Sequence, residues 1–287
     1  MYKDVGITDM TPARIAVVFD SAGTLLRTWR TAKNVLSGEV MPEAQTTTLT
    51  TESPDRVLTM LPVRPRDVMA EPAATLLSAY LVANGFGYAI SCANRPVSSE
   101  EVGTALFGDR RARVGDLQDC IRAVWACCRD EPAVALNAGV IVNLALPGVE
   151  YTIATGGVPF PGAVEAVRGL SAIGADVYVA SGDRVEKLLP MTRRLGIPDD
   201  RVHGTATPSG KAGIVRGLRE RYDRVAMVGD GENDVAAMHE ADLGVLSLQQ
   251  PGERSETVRS AAGRTITDLV QVVGIAADLA AGPAEGI

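Results

Sequence analysis

Asp20 stands alone at the end of an apolar run, VVFDSAGTLL, and is followed by small residues. Two other segments share that form. ADVYVASGD ends in Ser181, Gly182 and Asp183, and RVAMVGDGEND ends in Asp230, with Asp234 four residues further on. Between them, PSGKAGIV carries Lys211, one of only four lysines in the chain. A carboxylate placed like Asp20 can serve as a nucleophile, a metal ligand or both. A hard cation such as Mg²⁺ takes oxygen ligands from one or two carboxylates and from a phosphate, and the spacing of Asp230 and Asp234 can bring both to one ion. Ser181 and Gly182 offer a hydroxyl and backbone N–H groups at a helix start, a setting that suits a phosphate oxygen. Lys211 adds a point charge for the same group.

For these residues to meet, the segments before them must be neighbours in one sheet. RIAVVFD, ADVYVASGD and RVAMVGDG are β-branched apolar runs without alternation, the pattern of strands buried on both faces. RVHGTA and DLGVLSL are shorter strand candidates. Helical patterns lie between them. Pro161 opens one with Val164, Val167 and Leu170 on a single face. A second, RVEKLLPMTRRLGI, is expected to be kinked or delayed by Pro190. A third contains Lys211 and takes Ser209 as its cap. Alternating strands and helices predict a parallel sheet with helices on both faces, and ligands bind outside the carboxyl ends of such strands. Residues 26–155 break this rhythm with mixed helices and strands. They read as an α+β domain inserted into a core formed by residues 1–25 and 156–287. Within the insert, the Thr-rich stretch before RVLTMLPV reads as polar, and AVALNAGVIVNLALPGVEYTIATGG reads as two strands joined at Pro147–Gly148.

Bulk properties agree with a folded, two-domain protein: 287 residues, 46% of them hydrophobic. The net charge of −7 disfavours nucleic acid as a partner. Four cysteines without a C-x-x-C pair and two distant histidines argue against zinc. No signal peptide and no membrane-spanning run is expected, so the chain reads as soluble and cytoplasmic, with a small phosphorylated molecule as its partner. The oligomeric state is not readable. Arg184 and Glu232 read as solvated, and Trp29, Trp125 and Phe86 as packing residues.

Taken together, FDSAGTLL, VASGD, PSGKAGIV and MVGDGENDVAAM resemble the four ordered motifs of the haloacid dehalogenase (HAD) superfamily. Within it, VAMVGDGENDVAAM and GLSAIGADVYVASGD are most similar to the phosphorylation domain of P-type ATPases, although no membrane segments of a pump are expected here. The resemblance covers about residues 14–26 and 157–270. It implies a Rossmannoid α/β core with an inserted cap, a Mg²⁺ cofactor and an aspartyl-phosphate mechanism. By that likeness Asp20 is the nucleophile, and Ser181, Gly182 and Lys211 hold the phosphoryl group. Asp20, Asp230, Asp234 and the backbone carbonyl of Ala22 bind Mg²⁺, with Thr24 and Asn233 in support.

Ala22 departs from the usual pattern, in which an acid two residues after the nucleophile protonates the leaving group. General acid–base help is worth about 10²–10⁴-fold. Its absence favours a phosphoanhydride or acyl phosphate, whose leaving group is stable as an anion, unless the insert supplies an acid. Two alternatives stand beside a phosphohydrolase or phosphotransferase. One is a non-catalytic phosphate-binding protein or scaffold. The other is a phosphonatase-like C–P hydrolase, for which Lys33, the insert's only lysine, would form a Schiff base.

Overall fold

The computed structural model describes residues 13–128, 134–146 and 148–282. The chain divides into two compact units, one formed by Met1–Arg27 with Pro159–Ile287 and the other by Thr28–Val158. In chain order the strands are β1 (Ile15–Phe19), β2 (Leu26–Asn34), β3 (Val40–Met41), β4 (Arg56–Leu61), β5 (Ala89–Ala93) and β6 (Val134–Asn143), then β7 (Gly148–Pro159), β8 (Ala175–Ala180), β9 (Val202–His203), β10 (Arg224–Gly229), β11 (Leu243–Ser247) and β12 (Arg264–Ile266).

The first unit is built on a six-stranded sheet of order β12-β11-β10-β1-β8-β9, with every pairing parallel. All of β1 is buried, because it is flanked on both sides: Phe19 lies opposite Val228 of β10 and Val179 of β8. This register brings the residues just past β1, β8 and β10 out at one edge of the sheet, and they are Asp20, Ser181 and Asp230. On one face, Ala16, Val18 and Met227 pack with Val215 and Leu218 of the helix Pro208–Arg219 and with Ala237 and Met238 of the helix Val235–Glu240.

The helix boundaries correct three local expectations. Pro161 lies outside its helix, which begins at Ala163 after Gly162, a residue with φ +80°. Pro190 lies inside its helix and does not delay it, since the helix runs from Val185 to Leu195 and closes on a left-handed Gly196. The cap of the Lys211 helix is Thr207, whose Oγ1 accepts from Gly210 N at 3.1 Å, with Pro208 at the first helical position. Ser209 only shares a hydroxyl contact with Thr207.

The second unit has an antiparallel sheet of order β3-β2-β7-β6-β4-β5. Alternation sorts its side chains. Val57 and Leu61 of β4 and Val140 and Val142 of β6 pack with the helices Leu77–Ala83, Ser99–Gly108 and Val114–Cys128. Leu58 and Ile141 point to a smaller cluster with Tyr151 and Ile153 on the other face. β6 and β7 are the expected strand pair, while the joining Pro147 lies outside the described residues. The Thr-rich polar stretch contains a short helix, Thr46–Thr51. Trp29, Trp125 and Phe86 are packing residues at the larger cluster.

Candidate active site

A buried lysine lies at the centre of the site. Lys211 is 1% exposed, and its Nζ donates to Asp20 Oδ1 at 2.6 Å and to Asp234 Oδ1 at 2.7 Å. The three residues come from the end of β1, the first turn of the helix Pro208–Arg219 and the single 3₁₀ turn after β10. An isolated buried ammonium is very costly, so its two carboxylate partners are what allow Lys211 to stay charged there. Burial works against the ammonium, but Asp20 and Asp234 outweigh it and hold its pKa above the ordinary lysine value.

Asp230 completes the acidic group. Asp20, Asp230 and Asp234 each place one carboxylate oxygen within 4.8 Å of the others. The second oxygen of Asp234 accepts from the backbone N–H groups of Asp230 at 3.0 Å and Gly231 at 3.3 Å, which fixes the turn that presents both acids. Gly23 has φ +79°, and a Cβ there would overlap the Asp230 carboxylate. Glycine is therefore required twice over at this position, for backbone conformation and for space. Burial, reinforced by the neighbouring Asp234 charge and opposed by Lys211, pushes the Asp20 carboxyl up to about 7. Burial likewise pushes Asp230 up to about 6, against the opposing pull of Arg254.

The donor set is one that a hard divalent cation prefers: convergent carboxylate oxygens with no thiolate or imidazole among them. The loop after Asp20 adds two buried hydroxyls, Ser21 Oγ and Thr24 Oγ1, which have no hydrogen-bond partner among the described residues. The Thr24 carbonyl accepts from Gln249 Nε2 at 3.3 Å, and the Gly23 carbonyl accepts from Ser247 Oγ at 3.3 Å, so this loop is tied to the end of β11.

Ser181 is buried at the neighbouring strand end. Its N–H donates to His203 O, its carbonyl accepts from Ala206 N, and its hydroxyl accepts from Asp183 N at 3.3 Å. Gly182 beside it is exposed, and a Cβ there would meet only an ordinary contact with Ala206 O. Ala22 is exposed and carries no acid to the site. Asn233 and Arg184 are exposed. Asn233 makes no hydrogen bond to the carboxylates among the described residues. Glu232 is exposed too, but it accepts a hydrogen bond from Ser255 Oγ.

One charged residue at the site has no signal in the sequence. Arg254, from the loop after β11, is 8% exposed at its side chain and places Nη2 3.1 Å from Asp230 Oδ2. Lys33 of the second unit, by contrast, is held by Asp116 at 2.8 Å and Asp119 at 2.7 Å. Burial opposes its charge, but the two aspartates hold its pKa above the ordinary lysine value, the reverse of what a Schiff-base amine needs.

Residues 16–242 match the haloacid dehalogenase-like hydrolase family. A protein of Methanocaldococcus jannaschii described as a soluble P-type ATPase-like phosphatase is 30% identical over 274 residues, covering 95% of this chain and 97% of that one. A probable copper-transporting ATPase of Synechococcus is 37% identical over 87 residues, which is 30% of this chain and 11% of the pump. Among solved structures, the catalytic domain of the CPx-ATPase CopB-B aligns over 92% of this chain and 88% of its own, at 14% identity and a TM-score of 0.45. No helix among the described residues is long and apolar enough to cross a membrane.

Proposed function

Because the chain belongs to the haloacid dehalogenase-like hydrolases, we propose that it is a Mg²⁺-dependent phosphatase that works through an aspartyl-phosphate on Asp20. The observation that carries this reading is the convergence of Asp20 and Asp234 on one buried ammonium, with Asp230 alongside. The description of the Methanocaldococcus jannaschii relative as a phosphatase supports the same reaction class.

In this reading Asp20, Asp230 and Asp234, with the Ala22 carbonyl, would hold Mg²⁺, which would supply the positive charge that offsets a phosphate in this acidic site. Asp20 attacks phosphorus, the bond from phosphorus to the leaving oxygen breaks, and the leaving group departs with the electron pair. Water then attacks the aspartyl-phosphate, releasing phosphate and restoring the carboxylate. Lys211 spends two of its three N–H donors on Asp20 and Asp234, which leaves one for a phosphoryl oxygen. Ser181 and Gly182, at the adjoining strand end, complete the phosphate cradle, and Thr24 and Asn233 support the two loops.

Ala22 sets the substrate class. Without an acid there, the leaving group must depart as a stable anion, which selects phosphoanhydrides and acyl phosphates over sugar phosphates. The Thr28–Val158 unit is read as the cap that chooses among them. The test is phosphate release from ATP, pyrophosphate, acetyl phosphate, sugar phosphates and p-nitrophenyl phosphate, with Mg²⁺ or EDTA, in the wild type and Asp20→Asn. The expected result is Mg²⁺-dependent release from the anhydrides or the acyl phosphate that Asp20→Asn abolishes. Turnover that persists in EDTA or in Asp20→Asn overturns the mechanism.

A further inference from the structure

We propose that Arg254 is the resident counter-cation of the acidic site: it neutralises Asp230 while no metal is bound, and it thereby weakens the site's hold on a divalent ion. This inference rests on the reading of Asp20, Asp230 and Asp234 as metal ligands. Three carboxylates meet there, and Lys211 contacts only two of them, Asp20 and Asp234. Asp230 takes its positive charge from Arg254 instead. With all three carboxylates ionised, the cluster carries one net negative charge when both cations are in place and two without Arg254.

The geometry distinguishes a counter-cation from a residue that merely orients a ligand. Asp230 does not need Arg254 to find its position, because its carboxylate is seated in the space left by the missing side chain of Gly23 and its backbone N–H is fixed by Asp234. What Arg254 supplies is a full positive charge on the oxygen Oδ2, and that charge opposes an incoming cation. The other bonds of the guanidinium go to backbone carbonyls of its own loop, Gln250 at 3.0 Å and Gly252 at 3.1 Å, and its buried Nε has no acceptor among the described residues. The loop is further joined to the acidic turn through Ser255, which caps the helix Glu256–Ser260 and donates to Glu232. Arg254 thus acts on the site through its charge and not by placing Asp230.

The two roles predict opposite signs. Loss of an orienting outer-shell partner typically weakens metal affinity by about 10–100-fold. Loss of a counter-cation strengthens it. The experiment is a Mn²⁺ titration of the full chain, monitored by the paramagnetic resonance signal of free ion, for wild type, Arg254→Met, Arg254→Gln and Arg254→Lys. We expect the Mn²⁺ dissociation constant to fall at least about tenfold in the Met and Gln variants, as expected on removing a like charge a few ångströms away, and to stay near wild type in Arg254→Lys. In EDTA the Met variant should melt below wild type, and saturating Mn²⁺ should narrow that gap. Unchanged or weaker Mn²⁺ binding in Arg254→Met overturns the counter-cation role, and if that variant does not fold, Arg254→Gln decides on the same criterion. Failure of the wild type itself to bind Mn²⁺ is a separate result, and it overturns the metal reading together with this role.

Discussion

Lys211→Met is the sharpest perturbation of the site, because it removes a charge while keeping the stem. The ammonium is 1% exposed and has two carboxylate partners at 2.6 and 2.7 Å. Stripping one partner from a buried ion pair costs about 3–5 kcal/mol, which is a large share of the ~5–15 kcal/mol that holds a typical domain folded. Proton uptake by Asp20 limits the loss. In the metal-free wild type that carboxyl sits at about 7, so at pH 6 it is mostly neutral and its attraction to Lys211 is largely absent already. At pH 8 it is ionised, and the variant must either keep a bare buried carboxylate or bind a proton. Each pH unit between the wild-type value and the higher value in the variant adds up to about 1.4 kcal/mol. The destabilisation by Lys211→Met should therefore be about 1 kcal/mol greater at pH 8 than at pH 6. The assay is urea unfolding in EDTA at both pH values, monitored by amide circular dichroism and by indole fluorescence. Both tryptophans, Trp29 and Trp125, belong to the Thr28–Val158 unit, so the indole signal reports that unit and serves as an internal reference. A loss below about 1 kcal/mol that does not change between pH 6 and pH 8 would refute the view of Lys211 as the charge that makes this site tolerable.

Other outcomes rest on the same geometry. The raised values of Asp20 and Asp230 mean that the folded metal-free state binds protons more tightly than the unfolded chain. Stability in EDTA should consequently fall as pH rises from the ordinary carboxylate value of 3.8 through about 6 and 7. Saturating Mg²⁺ should raise the melting temperature more at pH 8 than at pH 5, and an equal rise at both would contradict the placement of the ion among these acids. Ala22→Asp puts an acid at an exposed position two residues after Asp20. It should raise kcat/KM for a sugar phosphate by about 10²-fold or more and change acetyl phosphate little; equal effects on both would remove the leaving-group argument.

The core of the site is legible in the sequence because buried parallel strands announce themselves. IAVVF, ADVYVA and RVAMVG are buried on both faces apart from Asp176 and Arg224 near the strand starts, and the residue after each strand is forced to the same sheet edge. The insert is less transparent, for reasons that differ by element. The helix Ser99–Gly108 carries a full capping box, with Ser98 and Glu101 each satisfying the other's backbone, and the S-x-x-E spacing is present in the sequence. Thr46–Thr51 runs against threonine's weak helix preference and is held by tertiary contact, with Leu49 packed on the smaller cluster, while Thr50 Oγ1 only bonds back to Thr46 O within the helix at 2.7 Å. β2 reads as polar because its charges find partners far along the chain, as Lys33 does with Asp116 and Asp119. Arg254 is the extreme case. PGERSE looks like a solvated turn, and only the fold shows that its arginine meets Asp230.

The position of β1 has a consequence for how the protein is made. This strand is the hydrophobic centre of the first sheet, yet its partners β8 and β10 begin at Ala175 and Arg224, while β1 begins at Ile15. A chain that leaves the ribosome at about 5–20 residues per second must carry IAVVF unpaired for roughly 10–30 s before β8 has even been synthesised. During that interval the whole antiparallel unit emerges. It is therefore expected to fold first on the nascent chain, with the first strand waiting for its sheet. The carboxylate at the end of that strand meets its lysine only after a further 191 residues have been added to the chain.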